Sequence, residues 1–392
     1  MPRAWMPVLL AVFLDLVGFG IGIPWLTFYA ETFSATAFQV TLLMACYSLA
    51  QFLCAPVWGA LSDRLGRRPV MLFSIAATAL GLAGFASATA LWQLFLFRSL
   101  HGMATANIST AQACVADLTP PEKRAMGMGL VGAAFGVGFT VGPLIGGELS
   151  AWGYAAPIWF AAALSVLNFV LALAMLPETR LAHPTERFRE RSIHPIAWLR
   201  VLQHPVVGLY TLLTFVLTMD FGMMESTFTL FAEHQRHLTA SSVGRMFGVA
   251  GVVMILVQAG LIRRLVKRFG EASLVPAGLV LLAVGLTLLP LAHPTLPMVS
   301  VFCLMAVGQG ISNPSLQSLI SRGTAEHEQG FVLGTNQSLS ALARVVGPTA
   351  GGALYAGVGP SAPFRVGAAV VAGSVGLTVL AIRRRASALE SS

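Results

Sequence analysis

Gly59-Ala60-Leu61-Ser62-Asp63-Arg64-Leu65-Gly66-Arg67-Arg68 separates two long apolar runs and packs four charges and two glycines into ten residues. A water-facing loop between membrane helices accounts for charge, but not for this order. Gly59 offers no side chain where two helices would approach closely. Asp63 stands beside Arg64, Arg67 and Arg68 and can exchange between cationic partners. Gly66 admits a tight turn that most residues resist.

The flanks are membrane helices. The chain has 392 residues, of which 56% are hydrophobic and only 10% charged, and its mean hydropathy is +0.77. Soluble domains carry about 25% charged residues, so that class is excluded. A bilayer-crossing helix needs about 20 mostly apolar residues. Twelve such runs are expected, over 6–28, 38–61, 69–88, 92–115, 126–148, 153–176, 206–231, 243–262, 272–291, 296–320, 331–356 and 363–382. The fold class expected is an all-α membrane protein, twelve helices in two pseudo-symmetric six-helix bundles.

The net charge of +8 does not point to nucleic acid, because of where the cations lie. Arg64, Arg67 and Arg68, Lys123 and Arg124, the arginines of 180–200, Arg263 to Arg268, Arg322 and Arg383 to Arg385 fall in alternate loops. By the positive-inside rule that face is cytoplasmic, with both termini on it. The four cysteines lack metal-like spacing and read as small buried side chains. The first apolar run carries Asp15 and no clear cleavage site, so it reads as a retained helix.

The two halves repeat. Gly142-Pro143-Leu144-Ile145-Gly146-Gly147 returns 205 residues later as Gly347-Pro348-Thr349-Ala350-Gly351-Gly352. Gly260 to Gly270 is a worn copy of the opening stretch without its aspartate. Domains are expected at 1–179 and 205–392, joined by a polar linker over 180–204. Parallel repeats imply an axis along the membrane normal and a substrate site between the halves.

The opening stretch resembles the loop between the second and third helices of the major facilitator superfamily, Gly-x-Leu-(Ser/Ala)-Asp-Arg-x-Gly-Arg-(Lys/Arg). The resemblance implies a gating loop of Gly59, Asp63, Arg64, Gly66, Arg67 and Arg68. It also implies that Arg64 or Arg67 pairs with Asp117 while Asp63 meets the start of the eleventh helix. Asp15-Leu16-Val17-Gly18-Phe19-Gly20-Ile21-Gly22-Ile23-Pro24 resembles the first-helix signature of drug:proton antiporters of the tetracycline-efflux type. Leu94 to Gly102 resembles the family's fourth-helix signature around Arg98, with His101 replacing its usual glutamine. Gly138, Gly142, Pro143, Gly146 and Gly147 resemble a fifth-helix signature found in exporters of the superfamily.

The residues support roles beside these resemblances. Asp15 lies about 14 Å along its helix from the inner interface, and an acid at that depth normally faces a cavity or partner. A carboxyl shielded from water can carry a proton. Arg98 would hold Asp15 ionised until substrate or a proton displaces it, or serves only to cancel its charge. Asp220 lies about 20 Å from the inner end of its helix, a third candidate for coupling, with Arg344 at similar height as its expected partner. Phe215, Met219 and Met223 suit a loosely shaped apolar ligand, or are ordinary filler. Asn107, Gln112, Asn313 and Gln317 offer polar contacts to a cavity, or bonds between helices. Glycines at every fourth position, Gly138, Gly142 and Gly146, make a smooth packing face, and Gly347 and Pro348 repeat it.

The function expected is proton-coupled export of a hydrophobic drug-like molecule by alternating access. Rivals are a uniporter or a carrier of a sugar, metabolite or lipid, and a membrane sensor without turnover. No nucleophile–base pair, metal spacing or phosphate loop argues for an enzyme. No cofactor is expected beyond the proton, no metal and no nucleic acid. The partners expected are the small-molecule substrate and the bilayer, with the chain a monomer in a bacterial inner membrane.

Overall fold

The computed structural model describes residues 5–105, 110–111, 114–115, 118, 124–179, 199, 201–204, 206–293, 296–324 and 328–390. Its long helices are α1 (Trp5–Glu31), α2 (Ala37–Leu65), α3 (Arg67–Ala86), α4 (Leu91–Ala104), α5 (Arg124–Leu149) and α6 (Ala156–Met175). Then follow α7 (Val207–Arg236) and α8 (Ala240–Phe269), which includes a π-turn at Val257–Leu261. The series ends with α9 (Glu271–Leu288), α10 (Leu296–Arg322), α11 (Gln329–Gly357) and α12 (Ala362–Glu390). Among the described residues, eight helices are long and apolar enough to cross a membrane, or nine if the two pieces of α1 count as one. Those pieces, Met6–Gly22 and Trp25–Glu31, meet at 49°. Pro24 stands at the joint, where a missing backbone donor allows the bend.

The chain divides into two compact units, Met1–Arg191 with Thr239–Gly248, and Ser192–Leu238 with Val249–Ser392. The polar segment 180–204 lies almost wholly outside the described residues.

In the first unit α1 packs along α5, α3 along α6 and α2 along α4. The α1–α5 seam is built from absent side chains. A Cβ on Gly142 would sit 2.7 Å from Gly20 Cα and 2.7 Å from the Ile21 nitrogen, and one on Gly138 would sit 2.8 Å from Leu16 Cβ. Without a hydrophobic drive between helices in lipid, such backbone-to-backbone contact supplies the attraction. Leu16, Met71, Ile75, Cys114 and Val115 form a buried cluster across α1, α3 and the segment before α5.

The second unit repeats the pairing: α7 lies along α11, α9 along α10 and α12. Gly347 and Gly351 take the places of Gly142 and Gly146, meeting the backbone and side chain of Met223 on α7. Pro348 packs at Gly222, where an added Cβ would lie 3.2 Å from its ring. The sequence repeat is thus a repeat of one helix-packing solution.

Gly66 ends α2 and starts α3 at φ +100°, and Gly270 joins α8 to α9 at φ +75°. Both sit in the region that L side chains avoid, so the two connections turn sharply without a longer loop.

Candidate functional site

The arginine-rich turn is tied down inside its own unit. The N–H of Arg67 donates to Glu178 Oε1 at 2.9 Å and the N–H of Arg68 to Oε2 at 3.2 Å. Glu178 follows α6, so its carboxylate caps the start of α3, where the helix dipole favours negative charge. Arg67 is buried and donates to Ser62 Oγ at 2.7 Å, and Ser62 donates in turn to the Gly59 carbonyl at 2.9 Å. Arg68 reaches the Leu173 carbonyl on α6 at 2.8 Å. Arg64 is exposed on α2.

One expectation for this turn changes, and one contact is new. Gly59 shows no close approach among the described residues, where an added Cβ would meet nothing within 4 Å. Its role is its carbonyl, which any residue could offer. Glu178 carries a contact that sequence reasoning missed, although the sequence shows both a carboxylate just past an apolar run and a helix starting Arg67-Arg68. Asp117, with Asn107 and Gln112, lies outside the described residues, as does the side chain of Asp63. Glu178→Ala should cost about 1–3 kcal/mol, the loss of hydrogen bonds to a charged acceptor at a partly exposed helix start. Thermal unfolding in detergent will measure it as a lowered Tm, with Glu178→Gln falling between.

A second cluster occupies α1, α2, α4 and α5. Asp15 is half-buried on α1, and Phe19 lies one turn further on the same face. Arg98 on α4 is only 9% exposed. Its guanidinium carbon lies 4.6 Å from the ring centre of Tyr47 on α2 and 5.9 Å from that of Phe19. Phe19 also packs on Tyr47 at 5.3 Å and on Phe139 of α5 at 5.7 Å. The Tyr47 hydroxyl donates to Thr105 Oγ1 at 3.3 Å, and Thr105 donates to the His101 carbonyl at 2.8 Å. His101 is buried edge-on to Tyr47 at 5.1 Å and packs against Gly81, which makes it a packing residue. Aromatic faces carry negative charge and attract a cation, most strongly where water is excluded. The cluster thus holds a buried cation on the α4 face that looks toward the Asp15 side of α1. Phe19, Tyr47, Phe139 and Thr105 were not singled out from sequence. An aromatic in an apolar helix carries no signal until its neighbours are known.

In the second unit, Asp220 on α7 is 4% exposed, and no hydrogen bond reaches its Oδ1 among the described residues. It points at Gly367 on α12, whose missing side chain leaves room for the carboxyl. The expected Asp220–Arg344 pair does not form: Arg344 presents an exposed side chain from α11, and Asp220 is enclosed by α7 and α12. Met223, read as a cavity residue, is 3% exposed between Gly347, Gly351 and Gly367 and packs helices together. Phe215 and Met219 are half-buried, Asn313 is exposed, and Gln317 accepts from Asn336 at 3.4 Å.

The α5 signature serves a second neighbour. Gly147 lies against Gly244 at the start of α8, where an added Cβ would approach Gly244 Cα to 3.1 Å. Beside it Arg245 grips Glu148 with Nε–Oε1 2.6 Å and Nη2–Oε2 3.2 Å, and Ser241 joins at 3.2 Å. Gly138, Gly142 and Gly146 therefore face α1, while Gly147 and the Pro143 carbonyl face α8.

Both compact units carry a glycine seam, and the first adds a buried arginine and an arginine-rich turn. The chain belongs to the Major Facilitator Superfamily, whose pattern matches residues 8–348 and 259–392. It is 34% identical over 362 residues to the tetracycline resistance protein, class C, of Escherichia coli, covering 90% of each chain. It is 26% identical over 372 residues to multidrug resistance protein 2 of Bacillus subtilis (strain 168), covering 94% of this chain and 92% of that one. Its structure is similar to the crystal structure of the human organic anion transporter MFSD10 (TETRAN), with TM-score 0.73 and 28% identity over 96% of this chain and 100% of that one. The protein is a multi-pass major facilitator transporter resembling the tetracycline-efflux branch.

Proposed function

We propose that the protein exports a hydrophobic drug-like molecule in exchange for protons, by alternating access of its two halves about a midplane site. The observation that carries this reading is the enclosure of Arg98 by Tyr47 and Phe19, with Asp15 one turn from Phe19. Asp15 takes a proton from the outer side, the transporter opens inward, the proton leaves as substrate binds, and the loaded carrier returns. Arg98 stabilises the deprotonated carboxylate in that cycle. Asp220 is a second candidate proton site, and the Gly59–Arg68 loop with Asp117 closes the inner side. The chain works as a monomer in a bacterial inner membrane, with both termini cytoplasmic and no cofactor beyond the proton. The similarity to tetracycline and multidrug resistance proteins supports the cargo class.

The buried guanidinium supports a second reading of the cargo, an organic anion, the class for which the similar human transporter MFSD10 is named. Flux assays in proteoliposomes separate the two. A panel of lipophilic drugs, including a tetracycline, and of aromatic carboxylates is loaded with and without an imposed pH gradient. Drug efflux accelerated by the gradient is the expected result. Carboxylate flux alone would select the second reading, and flux indifferent to the gradient would replace both with a uniporter.

A further inference from the structure

The basic turn at the inner end of α8 has no task in the transport reading. Gly260 to Gly270 repeats the arginine-rich turn of the first unit without its aspartate. In the first unit Arg67 donates to Ser62 and Arg68 to the Leu173 carbonyl. In the second, Arg263, Arg264, Lys267 and Arg268 are all exposed, and none of the four side chains makes an ion pair or hydrogen bond among the described residues. Glu271 is the one acid between Glu233 and Glu326. It begins α9 directly after the turn, but its carboxylate accepts from Ser318 Oγ at 2.6 Å and from Arg322 Nη1 at 3.1 Å, both on α10. Both of its oxygens are thus engaged away from the four cations.

Helix geometry gathers these charges on one side. At about 100° per residue, positions 263, 264, 267 and 268 fall within roughly 140° of arc and about 7.5 Å of helix length. Ile262, Leu265 and Val266 take the other side and pack on the buried cluster of Val257, Leu274 and Ile311. The π-turn at Val257–Leu261 rotates this last segment by roughly a quarter turn relative to a continuous α-helix. The apolar contacts hold the cations outward, because turning them in would expose all three apolar side chains.

Depth places the patch at a membrane surface. α8 is one of the candidate spans. At 1.5 Å per residue Arg263 lies about 35 Å along the axis from Ala240, just past a ~30 Å hydrocarbon layer. Val249, Val252 and Leu256 lead toward it on the same side of the helix and are 44%, 50% and 64% exposed. Phe269 closes the turn at 53% exposure, with the Arg268 guanidinium carbon 5.3 Å from its ring centre. An exposed aromatic among cations, at the end of an apolar stripe, suits a membrane interface better than a soluble polyanion.

We propose that the inner end of α8 binds an anionic phospholipid, whose phosphate meets Arg263, Arg264, Lys267 and Arg268 while an acyl chain lies along Val249, Val252 and Leu256. Four cations without an opposing acid favour an anionic headgroup over a zwitterionic one. The guanidinium forks match phosphate oxygens two at a time, and Lys267 adds a point charge. The site holds α8 to the inner leaflet whatever cargo the protein carries.

The test uses the whole protein in phosphatidylethanolamine vesicles with a trace of photoactivatable lipid, its reactive group at the headgroup end of one acyl chain. Phosphatidylglycerol and phosphatidylethanolamine carrying that group are compared in parallel, and adducts on 257–271 are counted by mass spectrometry. The expected result is about tenfold more labelling by phosphatidylglycerol, the ratio that ~1.4 kcal/mol gives. Raising salt from 0.1 to 1 M shortens the Debye length from about 10 to 3 Å and should shrink that preference. Arg263→Gln, Arg264→Gln, Lys267→Gln and Arg268→Gln together should abolish it; Arg264→Gln with Arg268→Gln serves if the fourfold variant fails to insert. Arg263→Lys, Arg264→Lys and Arg268→Lys together keep the charge and should retain most of the preference. Equal labelling by the two lipids in wild type would overturn the proposal, as would a preference that survives in the glutamine variants. So would a carbodiimide crosslink from Lys267 to Glu186 or Glu190, which would make the occupant the chain's own 180–204 segment.

Discussion

Replacing Gly142 with valine should leave little folded protein. The added Cβ falls 2.6 Å from the Gly20 carbonyl carbon and 2.7 Å from the Ile21 nitrogen. These are backbone atoms of a helix and cannot rotate aside, so α1 and α5 must separate along their seam. Overpacking usually costs about 1–3 kcal/mol when side chains can adjust. Here separation also forfeits the contacts of Gly138 and Gly146, and a loss of about 3 kcal/mol or more is expected against a total of about 5–15. The check is the yield of monodisperse protein on size-exclusion chromatography. Gly373→Val on α12 is the control, since nothing among the described residues lies within 4 Å of its added Cβ. Equal yields from the two variants would mean that the seam is looser than described.

Substituting Arg98 by lysine should slow transport on the order of tenfold while leaving the protein folded. An ammonium keeps the charge but cannot stack its plane on Tyr47, and it is more strongly hydrated than a guanidinium. The lost cation–π contact is worth about 0.5–2 kcal/mol, and each ~1.4 kcal/mol is a factor of ten. Initial rates of drug efflux from proteoliposomes decide the point, with chromatography confirming the fold. A lysine variant at wild-type rate would reduce Arg98 to a simple counter-charge.

Much of the architecture could be read before any coordinates. Apolar run length locates membrane helices because the bilayer fixes the span, and glycines at every fourth residue mark a seam because only they allow backbones to touch. Gly142, Gly146, Gly347 and Gly351 were visible in this way. The fine structure of the site was not. Gly59 stands where a packing glycine would stand and meets no neighbour among the described residues. Residue counting puts Asp220 and Arg344 at similar heights, but height says nothing about the direction a side chain takes around its helix. Asp220 turns toward α12 and Arg344 stays exposed. Glu178 sits 111 residues from the Arg67 amide that it accepts from, and that pairing follows from α3 lying along α6. The aromatic enclosure of Arg98 needs four helices to be in place at once. Local pattern identifies helices and their smooth faces; azimuth and long-range partners come only with packing.

If Asp15 carries the coupled proton, its amide variant must uncouple transport from proton movement. Wild-type protein and Asp15→Asn are reconstituted side by side in vesicles holding a pH-sensitive dye, and a transported drug is added under an imposed pH gradient. The proposed cycle predicts drug-triggered proton movement in wild type and none in Asp15→Asn, whose amide cannot take up or release a proton near neutral pH. Proton movement that survives in Asp15→Asn at the wild-type rate would contradict it and would move the search for the carrier to Asp220.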